Sequence, residues 1–152
     1  MRLAAASEAG LVKEISADAY VPAYRSVIGV VPRPAHEDYS QRIADGQVWL
    51  HEIGSDIAGL IVLEPKPDHL LVYSVAVRPA HQRRGLGRDL LAFARTEAAR
   101  LRLPELRLYT NTRMVANIRL YEACGFKRLG TRPHPSRQRE WLLDMAKHAE
   151  GG

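Results

Sequence analysis

Apolar residues along the chain repeat at two different spacings, and each change of spacing marks an element. Leu11, Ile15 and Ala19 recur at helical spacing behind Ser7-Glu8, which predicts a helix with Ser7 as its cap. The stretch 2–6 ahead of it predicts a short edge strand. Pro32 and Pro34 break the chain, and Glu37–Ala44 predicts a second, short helix stopped near Gly46. Gln47–Ile53 and Ile57–Glu64 predict a hairpin across Gly54-Ser55-Asp56. Leu70–Val77 is apolar at nearly every position, as a strand in the middle of a sheet would be. Strict alternation puts Leu70, Val72, Ser74 and Ala76 on one face, with Leu71, Tyr73, Val75 and Val77 on the other.

After Pro79 the spacing turns helical again. Leu86, Leu90, Phe93 or Ala94, Glu97 or Ala98, and Leu101 fall on one side, and Pro104 closes the segment. Glu105–Thr110 predicts a strand. A helix capped by Asn111 or Thr112 then runs to Cys124, with Gly125 just past its end. Lys127–Thr131 and Arg139–Met145 predict a final hairpin, with Arg132–Arg139 between them as an exposed loop or, alternatively, a border of a binding site or a contact for a nucleic acid or an acidic protein tail. The order β-α-α-β-β-β-α-β-α-β-β is that of a mixed α/β fold. Neither a repeat nor a Gly/Ser linker divides the chain, so residues 1–147 read as one domain and 148–152 as a flexible tail.

Composition narrows the class. The chain has 152 residues, 46% hydrophobic and 26% charged, which supplies a sizeable core and excludes a disordered or fibrous chain. Its longest apolar runs are strand-sized, well short of the roughly 20 residues a bilayer span needs. A lone Cys124 has no partner for an internal disulfide; it reads as a small buried hydrophobe in a reducing, cytoplasmic setting. The six histidines lack metal-ligand spacing, so no metal is expected.

The formal charge is +5, gathered in Arg78–Arg88, Arg100–Arg107 and Lys127–Arg139. Such charge serves either a nucleic acid or a small polyanion. With 7% aromatic residues, the interleaved aromatics of a nucleic-acid face are scarce. The first cluster instead forms a Gly-rich basic loop, Gln82-Arg83-Arg84-Gly85-Leu86-Gly87-Arg88, between an apolar strand and a helix. A helix start presents unpaired N–H groups and partial positive charge, and glycines let an anion approach them. A P-loop would need Gly-Lys-Ser/Thr here, and a dinucleotide fingerprint would need a third glycine where Leu90 stands.

The loop following Val75-Ala76-Val77-Arg78-Pro79 resembles the acyl-coenzyme A pyrophosphate loop of the GNAT superfamily of N-acetyltransferases. A second block, Asn117-Ile118-Arg119-Leu120-Tyr121-Glu122-Ala123-Cys124-Gly125-Phe126, is similar to that family's Asn-x-x-x-Tyr-x-x-x-Gly-Phe helix and turn. Together with the element order, the resemblance covers essentially residues 2–147. It implies a central, mostly antiparallel sheet of six or seven strands with a bulged fourth strand splayed from the fifth, flanked by about four helices.

It further implies acetyl-CoA as co-substrate and transfer to a primary amine of a small molecule or peptide through a tetrahedral intermediate. By the same likeness, the backbone of Val75 and Val77 pairs with the pantetheine arm. Gln82, Arg83, Arg84, Gly85, Leu86, Gly87 and Arg88 take the diphosphate. Asn117 binds the pantetheine or acyl end, Tyr121 lies near the thioester sulfur, and the Val75 N–H is a candidate oxyanion donor. The strand carboxylate that many family members use as a base is missing; His69 and Glu64 are favoured instead, with His51 and Asp68 nearby. Tyr20, Tyr24 and Trp49 read as packing residues rather than pocket walls. Many relatives pair as dimers, so a homodimer joins the expected partners. Two other functions fit the same residues: a non-catalytic acyl-CoA sensor on this fold, and a basic nucleic-acid-binding protein.

Overall fold

The computed structural model describes residues 1–29 and 32–149. It contains seven strands: β1 (Arg2–Leu3), β2 (Val48–Ile53), β3 (Asp56–Pro65), β4 (Leu70–Val77), β5 (Glu105–Asn111), β6 (Lys127–Pro133) and β7 (Trp141–His148). Four α-helices accompany them: α1 (Ala9–Val27), α2 (Ser40–Ala44), α3 (Leu86–Arg100) and α4 (Val115–Ala123). The strands form one mixed sheet in the order β1-β2-β3-β4-β5-β7-β6, with β4 at its centre. Every neighbouring pair is antiparallel except β4–β5. Among the described residues, no helix is long and apolar enough to cross a membrane.

Alternation along β3 gives the sheet two buried faces. Leu60 and Val62 join Val12 and Ile15 of α1 and Ile43 of α2, whereas Ile61 and Leu63 join Leu90 and Ala94 of α3 and Ile118 of α4. Each such valine, leucine or isoleucine, taken fully from water, contributes about 1.5–3 kcal/mol before conformational entropy is counted.

Three local differences from the sequence reading have clear causes. The N-terminal cap is not Ser7. Residues Ala6–Glu8 form a 3-10 turn in which the Glu8 carboxylate accepts the Ala5 N–H at 2.8 Å, and α1 starts at Ala9. Helix α1 then runs through Pro22 to Val27, which puts Tyr20 and Tyr24 one turn apart on the same side, their ring centroids 5.8 Å from each other. At the other end, β7 continues through His148, and Ala149 is 3% exposed with its N–H bonded to the Pro104 carbonyl. The first two residues read as a free tail therefore belong to the packed domain; 150–152 lie outside the described residues.

The fourth difference shapes the site. Val62 pairs with Ser74 but Leu63 pairs with Val72, so Tyr73 is an extra residue with no partner on β3. A bulge of this kind flips the alternation downstream. Leu70 and Val72 pack on the α3/α4 side as predicted, but beyond the bulge Val75 and Val77 also face that side, while Tyr73 and Ala76 face α1. Strand β4 pairs with β5 only at Leu70–Leu106 and Leu71–Arg107. Past those two pairs the strands part, and the outer edge of β4 is left open toward β5.

Candidate active site

Strand β4 passes from the bulge into a turn and then into α3, and this local sequence builds an anion-binding mouth. Gly85 is the N-cap of α3 with φ +78°, a conformation that Cβ-bearing residues avoid, and Arg83 before it also has φ +65°. The Asp89 N–H closes the first turn onto the Gly85 carbonyl, so the amides ahead of it point out of the helix. Gly87 has a further reason to lack a side chain: a Cβ there would stand 3.2 Å from Leu120 of α4.

This mouth opens into a cleft of about 530 Å³ between β4 and the starts of α3 and α4. All the residues assigned to the acyl-CoA line it except Arg84, which is exposed outside it. A second cavity, of about 550 Å³, lies between α1, the splayed strands and the β6–β7 hairpin. The two share Tyr20, Tyr24, Val75, Asn117 and Tyr121, so these residues stand at the junction of the cavities. Tyr121 is half-buried there with its ring edge toward Phe126, centroids 6.1 Å apart. Burial pushes its phenol well above the ordinary tyrosine range, which leaves it a hydrogen-bond donor at neutral pH.

Tyr20 was expected in the core and is instead part of the junction. Its hydroxyl donates to the Val75 carbonyl at 3.0 Å, accepts the Val75 N–H at 3.2 Å and meets the Ser74 hydroxyl at 3.0 Å. The Gln82 side-chain amide donates to the Val77 carbonyl at 3.1 Å. Two side chains thus satisfy the outward backbone groups of β4 that an added strand would use. Nothing local could have signalled the first of these contacts, which joins residues 55 positions apart.

The favoured bases stand elsewhere. The Glu64 carboxylate is held by Lys66 Nζ at 2.6 Å and Arg42 Nη1 at 3.1 Å, with Lys66 the larger influence keeping it below the usual carboxylate range. His69 lies just before the paired end of β4, its Nδ1 2.6 Å from Asp68, and His51 sits on β2 opposite Gly59. None of the four lines either side of the junction. A carboxylate that meets the wall of the second cavity is Glu37, which no motif in the chain singles out. It accepts the Tyr73 hydroxyl at 2.7 Å and Arg42 Nε at 2.6 Å, and the Arg42 guanidinium lies 3.8 Å over the Tyr73 ring. Tyr73 itself, the extra residue of the bulge, lines the cavity.

Arg132–Arg139 is likewise more than an exposed loop, since Arg132, His134, Ser136 and Arg137 line the second cavity. Cys124 is half-buried beside the end of α4, where its carbonyl accepts Lys147 Nζ.

Comparison with known proteins places this geometry. A family model described as the acetyltransferase (GNAT) domain matches residues 44–128, more than half of the chain. A curated relative, the uncharacterised N-acetyltransferase YvbK of Bacillus subtilis strain 168, is 23% identical over 95 residues. The match covers 62% of this chain and 61% of YvbK, so the chain spans less than two thirds of that relative. Two solved structures share the fold over nearly the full length. A GNAT-family protein from Desulfovibrio desulfuricans has a TM-score of 0.78 at 21% identity, covering 98% of this chain and 97% of its own. The yncA protein of Salmonella typhimurium, solved with its cofactor acetyl-CoA, has a TM-score of 0.73 at 21% identity, covering 99% and 94%. The splayed β4–β5 pair, the glycine-bearing mouth of α3 and the domain match agree, and the chain belongs to the GNAT acetyltransferase family.

Proposed function

We propose that the chain is an N-acetyltransferase that moves the acetyl group of acetyl-CoA to a primary amine of a small molecule or peptide. The observation that carries this reading is the meeting of two cavities at Val75, Asn117 and Tyr121, beside a strand edge opened by the splay. The mouth of α3, with Arg83 and Arg88, suits the diphosphate of such a donor. The edge of β4 at Val75 and Val77 suits its amide-bearing arm as an added strand. The acetyl-CoA bound to yncA and the activity in YvbK's name support the same assignment.

Acetyl-CoA supplies an activated acyl group; the chain positions it. Once the donor displaces the Tyr20 hydroxyl from it, the Val75 N–H faces the carbonyl oxygen as negative charge develops there. Asn117 orients the acyl end, and Tyr121 donates its O–H toward the departing sulfur. A thiolate of pKa about 8.5 cannot strip a phenol that burial has pushed far above 10, so Tyr121 stabilises the leaving group by a hydrogen bond rather than full transfer. An acceptor amine of ordinary pKa, about 10.4, must lose a proton before attack. Tyr73 and Glu37 offer the route: Tyr73 takes the proton as it passes its own to Glu37. This replaces Glu64 and His69 in the role of base.

Calorimetric titration with acetyl-CoA and thiol release over a panel of amines test the reading. Binding together with release above background is expected. No binding at millimolar acetyl-CoA removes the assignment, and binding without release across the panel favours the sensor function. Tyr20→Phe provides a sharper test. If the hydroxyl holds the place of the arm on Val75, removing it costs the free protein about 1–1.5 kcal/mol and tightens acetyl-CoA by up to about tenfold. Unchanged or weaker binding would show that Tyr20 and the donor do not compete.

A further inference from the structure

The second cavity has a chemical bias that the acetyltransferase reading leaves unspecified. Its walls are aromatic, with Tyr20, Tyr24, Tyr73 and Tyr109 facing the space. Its rim carries arginines from two sides, Arg33 from the α1–α2 connection and Arg132 and Arg137 from the β6–β7 hairpin, with His134 beside the last two. Among the described residues, none that lines this cavity is an aspartate or glutamate.

The carboxylates that pair with this rim stand behind it. Glu37 meets Arg33 Nε at 3.3 Å, Asp144 takes Arg132 Nε and Nη2 at 2.8 and 3.2 Å, and Glu140, bonded to the Asn111 side-chain amide at 3.0 Å, lies within electrostatic reach of Arg137 and His134. His134 adds a donor. Its Nδ1 accepts the backbone N–H groups of Ser136 and Arg137, both at 3.1 Å, which leaves the ring proton on Nε2. The rim therefore offers hydrogen-bond donors and positive charge. A polyamine or amino sugar would bring further positive charge against it and find no lining carboxylate to hold its extra ammonium groups. A carboxylate or phosphate would gain charge-assisted bonds in the same place.

We propose that the acceptor is a primary amine on an apolar or aromatic body that also carries an anionic group, a carboxylate or a phosphate. The anionic end is held by Arg33, Arg132, His134 and Arg137, and the amine is directed at the junction by Val75 and Tyr121. This specificity rests on the acetyltransferase reading, from which the test below separates it.

The experiment compares matched amines in the acetyl-CoA assay: L-phenylalanine against 2-phenylethylamine, O-phosphoethanolamine against ethanolamine, and spermidine as the polycation. The anionic member of at least one pair is expected to exceed its partner by tenfold or more in kcat/KM, with spermidine poorest. The pair that discriminates identifies carboxylate or phosphate as the anion. Arg33→Gln and Arg137→Gln are each expected to raise KM for the preferred amine about fivefold or more and leave the Kd of acetyl-CoA unchanged. Equal rates within both pairs, or preference for spermidine, overturn the proposal. The same amines titrated into CoA-saturated protein, and into protein alone, give the answer without turnover: preferential binding of the anionic member supports it, and absence of that preference overturns it. Failure to bind acetyl-CoA would instead remove the acetyltransferase reading while leaving the anion preference measurable.

Discussion

Replacing Tyr121 by phenylalanine is expected to cut kcat about 100-fold while leaving the Kd of acetyl-CoA within about twofold. The phenol stands where the two cavities meet, and its hydroxyl is the only part lost. The ring keeps its edge contact with Phe126, so α4 and the turn at Gly125 stay in place. Loss of one well-placed donor at a site of developing charge costs roughly 10²–10³-fold in rate, and little of that appears in ground-state binding. Steady-state kinetics together with calorimetry separate the two quantities. An unchanged kcat would reduce Tyr121 to a packing residue. The raised phenol adds a pH signature: because the protonated form persists beyond the ordinary tyrosine pKa of about 10, wild-type activity should show no loss from Tyr121 ionisation near pH 9.

Gly59→Ala is expected to lower stability by about 3 kcal/mol, which for a domain of this size is roughly 6–12 °C in Tm. Gly59 lies on β3 opposite Val77. A Cβ there would come within 2.6 Å of the Ala76 carbonyl oxygen and 3.3 Å of the Val77 Cα. Both are backbone atoms of the central strand and cannot swing aside as a side chain would. The strand must shift, and Val77 is one of the residues proposed to pair with the donor, so weaker acetyl-CoA binding should accompany the loss of stability. Gly10→Ala is the matched control. It adds the same methyl group to a helical position with nothing within 4 Å, and should stabilise by roughly 0.5–1 kcal/mol. Thermal melts of the two variants should move in opposite directions; a small or absent loss for Gly59→Ala would mean that β3 and β4 separate easily at this point.

The readable parts of the site are those whose chemistry lies within a few residues. The mouth of α3 is such a part. An apolar strand, a turn, two glycines and a basic run are contiguous, and the need for a positive φ at Gly85 is met by the residue at that position. The central place of β4 was likewise evident, because a strand apolar on both faces has to be covered on both. The base was not readable. Glu64 and His69 are near the central strand in sequence, but Glu64 pairs with Lys66 and Arg42 away from both cavities, and His69 sits at the closed end of the splay. Glu37 lies in a segment without any motif and reaches the site only because α2 packs beneath Tyr73.

The element order, the anion-binding loop, the Asn117–Phe126 block and hence the family are legible from the order of residues alone. Each follows from local propensity, side-chain spacing or a short motif. Tertiary structure decided which way β4 faces beyond Tyr73, that Tyr20 rather than solvent meets Val75, and that the Arg132–Arg137 segment walls a cavity. These depend on strand register and on contacts between residues tens of positions apart. A one-residue bulge reverses every side chain that follows it, and the spacing of apolar residues carries no mark of where that extra residue falls.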